Sequence, residues 1–179
     1  LPPEALELYR TRMDPIARRW FEEGQAKRSR QLLQNVVENA FASSWGDKAL
    51  FLLGDMALER GDFATARFCW ERILPVEMPP EGAPTWLSFP DSQLDFAAVR
   101  AWLVLTSIVE GLPERAEEEL GQFRRLHPES RGWMGGREVH FAAELSALLA
   151  ASREWPPDRP AWFWPTFAGS VNGMASYFD

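Results

Sequence analysis

Apolar side chains recur along most of this chain at helical rather than strand spacing. In 47-DKALFLLGDMALERGD-62, Leu50, Leu53, Ala57 and Leu58 fall at i, i+3, i+7 and i+8, one face of a helix. Asp47 suits its N-cap, and Gly61-Asp62 supplies a stop. A second stripe follows through Phe63, Ala66, Trp70, Ile73 and Leu74, and Pro75 ends it. Gly54 and Ala66 are small where two paired helices must approach closely. The pattern therefore predicts a helical hairpin with those two residues facing each other.

The same pattern recurs on both sides. Shifting back by 37 residues places Gly24 under Gly61, Ala17 under Gly54, Leu33 under Trp70, Val36 under Ile73 and Val37 under Leu74. Looking forward, Gly111 is the next turn glycine, with Ala116, Leu120, Phe123 and Pro128 at matching distances behind it. Leu103, Ser107 and Ile108 mark the helix before it. The stretch 75-PVEMPPEGAPTWLSFP-90 separates the second and third hairpins. Its prolines at 79, 80 and 84 predict no regular helix over 76–88. Three helix pairs result, over 14–42, 47–74 and 91–127. A last amphipathic helix over 137–153, with Val139, Leu145, Leu148 and Leu149, suits a cap. A helical piece over 3–12 leads in, and Asp14-Pro15 reads as the N-cap and first turn of a restarted helix. The run 132-GWMGG-136 could offer backbone N–H groups to an anion, but without a phosphate loop's spacing it reads as a flexible connection.

Leu53, Gly54, Gly61, Ala66 and Trp70 stand where the tetratricopeptide repeat (TPR) has its Leu-Gly, turn glycine, alanine and large residue, so this unit resembles a TPR. Met78 falls where that family prefers proline, with Pro79 one residue late. The resemblance implies an all-α, TPR-like solenoid of about three helix pairs plus a capping helix. The connection 41-FASSWG-46 would hold the three residues beyond the family period. Residues 155-WPPDRPAWFWPTFAGSVNGMASYFD-179 change character, with prolines and aromatics alternating in an extended tail. Within it, 164-WPTFAGSVNG-173 resembles the opening strand of PQQ-like β-propellers. The whole chain resembles the TPR-containing part found ahead of such propellers in planctomycete-type bacterial proteins, most closely over 43-SSWGDKALFLLGDMALERGDF-63. This implies a helical domain over 1–154, and over 155–179 a linker and possible first strand of a propeller lying beyond this sequence. It also implies an extracytoplasmic setting. The chain starts at Leu1 and reads as a piece of something longer.

Composition narrows the function classes. The 179 residues are 46% hydrophobic and 13% aromatic, with nine tryptophans, enough for a sizeable core. The formal net charge is −7, and 27-KRSR-30 lacks the interleaved aromatics of a nucleic-acid patch, so no nucleic-acid partner is expected. The acidic run 117-EEE-119 reads as a solvated helix face. No run of 18 apolar residues exists, so no membrane insertion by this segment is expected. Cys69, the single cysteine, lies on an apolar stripe and reads as a buried thiol. His127, before Pro128 at a helix end, would complement the helix dipole as a cation. His140 reads as solvent-facing or half-buried on the last helix. Neither has a Cys or carboxylate at ligand spacing, so no metal, cofactor or catalytic residue is assigned.

One constellation points to contacts. In a TPR the first helix of each pair lines the concave face. The resemblance places Arg18 there, with Phe51 and Asp55 from the second pair and Trp102 and Leu105 from the third. Phe51-Leu52 and 101-AWLVL-105 make two helices apolar nearly all round, which requires a cover. Either a larger core covers them or they line a peptide groove. The slots that hold Lys, Arg and Asn in carboxylate-gripping TPRs are Arg18, Asp55 and Leu105 here, so that clamp is not supported. The expected function is a non-catalytic protein–protein interaction or assembly module with a protein or peptide partner. The alternative is an accessory domain of a quinoprotein-like enzyme whose catalytic propeller is absent from this sequence. The tail segment 155–167, rich in Trp and Phe, is expected to fold back on the helices.

Overall fold

A computed structural model describes residues 2–75 and 88–155. Seven helices make up most of these residues: α1 (Pro3–Ala26), α2 (Arg30–Asn39), α3 (Gly46–Leu58), α4 (Phe63–Glu71), α5 (Phe96–Glu110), α6 (Pro113–Leu126) and α7 (Phe141–Ser152). A β-hairpin, β1 (Arg131–Met134) and β2 (Arg137–His140), precedes α7. The fold is therefore helical, but not purely so. The expected absence of helix over 76–88 and the expected docking of the tail fall almost wholly outside the described residues.

The chain divides into two compact units. The first joins the residues up to Leu58 with Ala64–Leu94, and the second joins Glu59–Phe63 with the residues from Asp95 on. In the first unit α2 packs on both α1 and α3. Helix α3 is its centre. Every residue from Ala49 to Leu58 is buried, so the helix has no solvent face. Trp70 of α4, fully buried, lies against Gly54 of α3, and its indole Nε1–H donates to the Phe51 carbonyl at 3.2 Å. A Cβ placed on Gly54 would sit 2.4 Å from Nε1. The small residue thus admits a tryptophan, where we expected it to meet Ala66.

Helix α1 departs from the sequence reading. It runs unbroken through Pro15, and Asp14 does not cap a second helix. Pro15 has no N–H for the Thr11 carbonyl, a loss worth about 3 kcal/mol in a helix interior. Contacts on both sides of the proline hold the helix together. Arg10 reaches the Ala42 carbonyl at 3.1 Å and the Asp91 carboxylate at 2.7 and 2.5 Å. Asp14 accepts from the Ser44 amide (2.9 Å) and hydroxyl (2.8 Å). Beyond the proline, Ala17, Phe21 and Gly24 are buried. Gly24 is not a turn residue either. It lies within α1, where a Cβ would come 3.1 Å from the Leu33 side chain. The turn comes later, and Arg28 takes its left-handed conformation (φ 47°).

In the second unit α5, α6 and α7 pack against one another, and the hairpin lies on α7. Asp95 caps α5, its carboxylate accepting from the Ala97 amide at 2.8 Å. The segment expected to begin the last helix is instead strand. Arg131 pairs with His140 and Trp133 with Glu138 in an antiparallel ladder. Its two-residue turn is Gly135-Gly136, both at positive φ (62° and 77°), as a tight hairpin demands. Val139 and Met134 turn inward from this ladder. Phe123, Phe141 and His127 form the ring cluster beneath, with Phe123 edge-on to Phe141 at 6.3 Å.

Gly54 yields a direct test. Alanine favours a helix over glycine by about 1 kcal/mol. Gly54→Ala should nonetheless destabilise the chain by about 1–3 kcal/mol in urea unfolding, because the rigid indole cannot make room. In a Trp70→Leu background, which places there the residue that Leu33 and Leu120 supply at the same register, Gly54→Ala should become neutral or stabilising. An equal effect in both backgrounds would show that the indole is not what requires glycine.

Candidate functional site

Of the residues expected on a concave face, Arg18 is exposed and ion-paired to Glu22 at 2.6 Å, one turn along α1. Phe51 and Asp55 lie one turn apart on α3, and Trp102 and Leu105 lie almost one turn apart on α5. All four are buried, between 2 and 5% exposed. These four side chains offer little surface.

The residues that do line a cavity lie elsewhere in the first unit. A cavity of about 320 Å³ opens between α2 and α4. Helix α2 contributes Arg30, Gln34, Val37 and Glu38, at i, i+4, i+7 and i+8. Helix α4 contributes Thr65, Phe68 and Cys69, and Arg72 follows in the turn one residue past its end. Each set is one helix face. Leu50 and Leu53 of α3, both buried, form the floor. The walls are mixed. Val37, Cys69 and Phe68 continue the apolar floor, while two guanidinium groups and one carboxylate bring charge. Sequence reasoning did not bring these residues together, because each helix carries its core stripe beside this face and the three-helix arrangement creates the space. The signal that could have found it is Phe68, a large apolar residue one position off the core stripe, which remains 49% exposed.

Arg72 is held in place by rings. Its guanidinium lies over Phe41 at 4.5 Å and over Phe68 at 5.3 Å. Burial lowers its pKa from the ordinary arginine value, and the nearby Cys69 opposes that shift. An arginine this far above neutrality stays charged throughout. Cys69 is buried, as its apolar stripe predicts, and forms no disulfide.

Asp47 and His127 also depart from their ordinary values. Asp47 is 4% exposed in the first turn of α3, and burial raises its pKa. Hydrogen bonds from the Ser92 hydroxyl (2.8 Å) and the Lys48 and Gln93 amides draw it back down. His127 follows the last turn of α6, where the helix dipole favours a cation. The opposite holds. Burial lowers the His127 pKa, the positive charge of Arg100 lowers it further, and Asp95 only partly offsets them. Its Nε2 is buried without a hydrogen-bond partner in the structure. His140 is half-buried, as expected, but it is the N-cap of α7, its Nδ1 accepting from the Ala143 amide at 3.4 Å.

Among the described residues no three His, Cys, Asp or Glu side chains gather as metal ligands. No described helix is long and apolar enough to cross a membrane. No protein-family model, curated protein or solved structure matches the chain.

The His127 environment gives a pH dependence of known sign. A folded-state pKa below the unfolded one contributes stability that is full above the unfolded value, about 6.5, and is lost as pH falls through the folded value. The unfolding midpoint should therefore fall between pH 7 and pH 5, and His127→Gln should remove much of that fall. Asp47 acts in the opposite direction, with stability present below the unfolded carboxylate value and lost as pH rises through the raised one. It is unchanged in the variant, so comparison with the parent isolates the histidine. Parallel pH profiles for the two proteins would assign the dependence to other groups.

Proposed function

We propose that this chain is a non-catalytic protein–protein interaction or assembly module built from TPR-like helical hairpins. The observation supporting this reading is a shared register in α3/α4 and α5/α6. Gly61 and Gly111, each at the turn, take left-handed φ values of 73° and 82°. Five residues on, Ala66 and Ala116 are both fully buried. Nine residues on stand Trp70 and Leu120, and twelve on stand Ile73 and Phe123, all buried. Residues repeated at one register in successive hairpins are how a helical repeat builds a scaffold from like units. Function in such proteins lies in surface side chains held along rigid helices rather than in a single cleft. Arg18 is the exposed member of the expected contact set. It shares α1 with Leu8 and Ile16, which are 57 and 42% exposed. In this reading α1 supplies a contact surface, while Phe51, Asp55, Trp102 and Leu105 fix the helices behind such surfaces.

Site-specific photocrosslinking tests the reading. A benzoylphenylalanine at position 8 or 18 should trap a discrete protein adduct from extracts of the source cells. The same group at Glu118, exposed on α6, should trap none. Absence of any adduct at both α1 positions would overturn the assignment of α1 as a contact surface. Stoichiometric labelling of the native chain by a serine- or cysteine-directed activity probe, lost on denaturation, would overturn the non-catalytic reading.

A further inference from the structure

The outer face of α1 differs from an ordinary solvated helix face. Leu8, Arg12 and Ile16 form one row at i, i+4 and i+8, and Thr11, Pro15 and Arg19 form the row beside it. All six are exposed, on the side away from the buried Leu6, Ala17, Phe21 and Gly24. The two rows are apolar through Leu8, Pro15 and Ile16, and the Thr11 hydroxyl is turned back onto the Glu7 carbonyl at 2.9 Å. They carry two arginines and no carboxylate. Other charged groups on this helix are engaged elsewhere: Arg10 with Asp91, Asp14 with Ser44, and Arg18 with Glu22. Glu23, one turn after Arg19, is bonded to Lys27 at 2.5 Å and senses Arg19 through its charge. Arg12 forms no hydrogen bond or ion pair among the described residues.

We infer that this face docks an acidic amphipathic helix of a partner protein, one that places a carboxylate between two apolar side chains at i, i+4 and i+8. The inference rests on the reading of α1 as a contact surface and names the chemistry of what it contacts. The partner's apolar side chains cover Leu8 and Ile16, which are 57 and 42% exposed, and its carboxylate meets Arg12. Arginine suits this role because its planar donors match the two oxygens of a carboxylate. Rows of i, i+4 spacing on two helices interlock as ridges in grooves, so a partner helix matches this face better than an extended strand does. Helix α1 is 24 residues long and anchored on its other side, which holds the rows in place before a partner arrives. The chain as a whole has a formal net charge of −7. An acidic partner is repelled by that overall charge and drawn to this stripe, which fixes where it lands.

The probe is a synthetic alanine-based peptide of about 18 residues, long enough to be helical in water, with leucine, glutamate and leucine at i, i+4 and i+8. Two counterparts replace its glutamate by lysine or its leucines by alanine. The readout is the amide spectrum of the full ¹⁵N-labelled chain during titration. The glutamate probe should give saturable shifts centred on residues 8–19. The lysine probe should bind about tenfold more weakly, the loss of one charge-assisted contact, and the alanine probe severalfold more weakly. Arg12→Glu, at an exposed position, should reverse the order, so that the lysine probe binds better than the glutamate probe. Arg12→Lys should keep the original order. An order unchanged by Arg12→Glu would overturn the acidic partner, and so would glutamate-probe shifts that do not saturate or that spread over the whole chain. Photocrosslinking from position 8 separates this failure from that of the contact reading. Its adduct should be lost in Arg12→Glu and kept in Arg12→Lys. An adduct that persists in Arg12→Glu would leave α1 a contact surface and overturn the acidic partner.

Discussion

The seating of Trp70 on Gly54 is the contact on which the first unit depends. Glycine is a poor helix residue, and a buried helix centre is an expensive place for one. It is tolerated here because the missing Cβ lets a whole indole approach the α3 backbone. The indole returns a hydrogen bond to the Phe51 carbonyl and lies 6.4 Å from the Phe51 ring. That sets the spacing of α3 and α4. With α2 packed on α3 as well, two helices flank a third that has no solvent face. The cavity between α2 and α4 lies over the buried Leu50 and Leu53 of that central helix.

Polar groups hold the connections to this frame. Phe89, Asp91 and Ser92 tie the segment before α5 into the first unit. The Phe89 amide donates to the Arg72 carbonyl at 2.7 Å, and its ring meets Phe41 edge-on at 5.8 Å. Asp91 pairs with Arg10, and Ser92 donates to Asp47. A buried carboxylate is costly unless its lone pairs are satisfied. Asp47 accepts donors from a hydroxyl and two amides, which explains why it stays in the first turn of α3 rather than facing water. Phe41 and Arg72 belong to both systems. The ring that receives Phe89 also carries the guanidinium that enters the cavity, so the returning segment and the cavity wall share a foundation.

Much of the helical layout was legible because it rests on spacing. The stripes through Trp70, Ile73 and Leu120 mark buried faces, and Gly61 and Gly111 mark turns. What failed involved residues whose local preference was overridden by distant partners. Asp14-Pro15 is a sound local signal for a helix start, yet Arg10, Asp14 and Phe21 each have tertiary contacts that keep α1 continuous. Gly24 matched Gly61 by position, but a glycine can serve a turn or a close approach, and spacing does not tell them apart. Gly135-Gly136 was misread for a different reason. A Gly-Gly pair between two short runs is a hairpin signal. The runs RGWM and REVH are too short and too polar to announce strands, and the apolar stripe of α7 seemed to absorb Val139.

The two helices that looked over-apolar, α3 and α5, bear on where this chain can meet other molecules. A helix apolar on every side either forms a groove or is a core. Phe51, Asp55, Trp102 and Leu105 are buried and present little surface. Large apolar side chains that remain exposed are found at other places: Leu8 and Ile16 on α1, Phe68 at the cavity mouth and Trp133 on the hairpin. Each has a charged neighbour suited to orienting a partner. Arg12 lies between Leu8 and Ile16 on the same helix, Arg72 stacks on Phe68, and Arg131 reaches across to Glu138 beside Trp133 at 3.5 Å. An apolar residue next to a fixed charge can bind with a preferred orientation, which an apolar patch alone does not impose. Phe68 stands at the mouth of the cavity between α2 and α4, where an apolar ring and the Arg72 guanidinium meet.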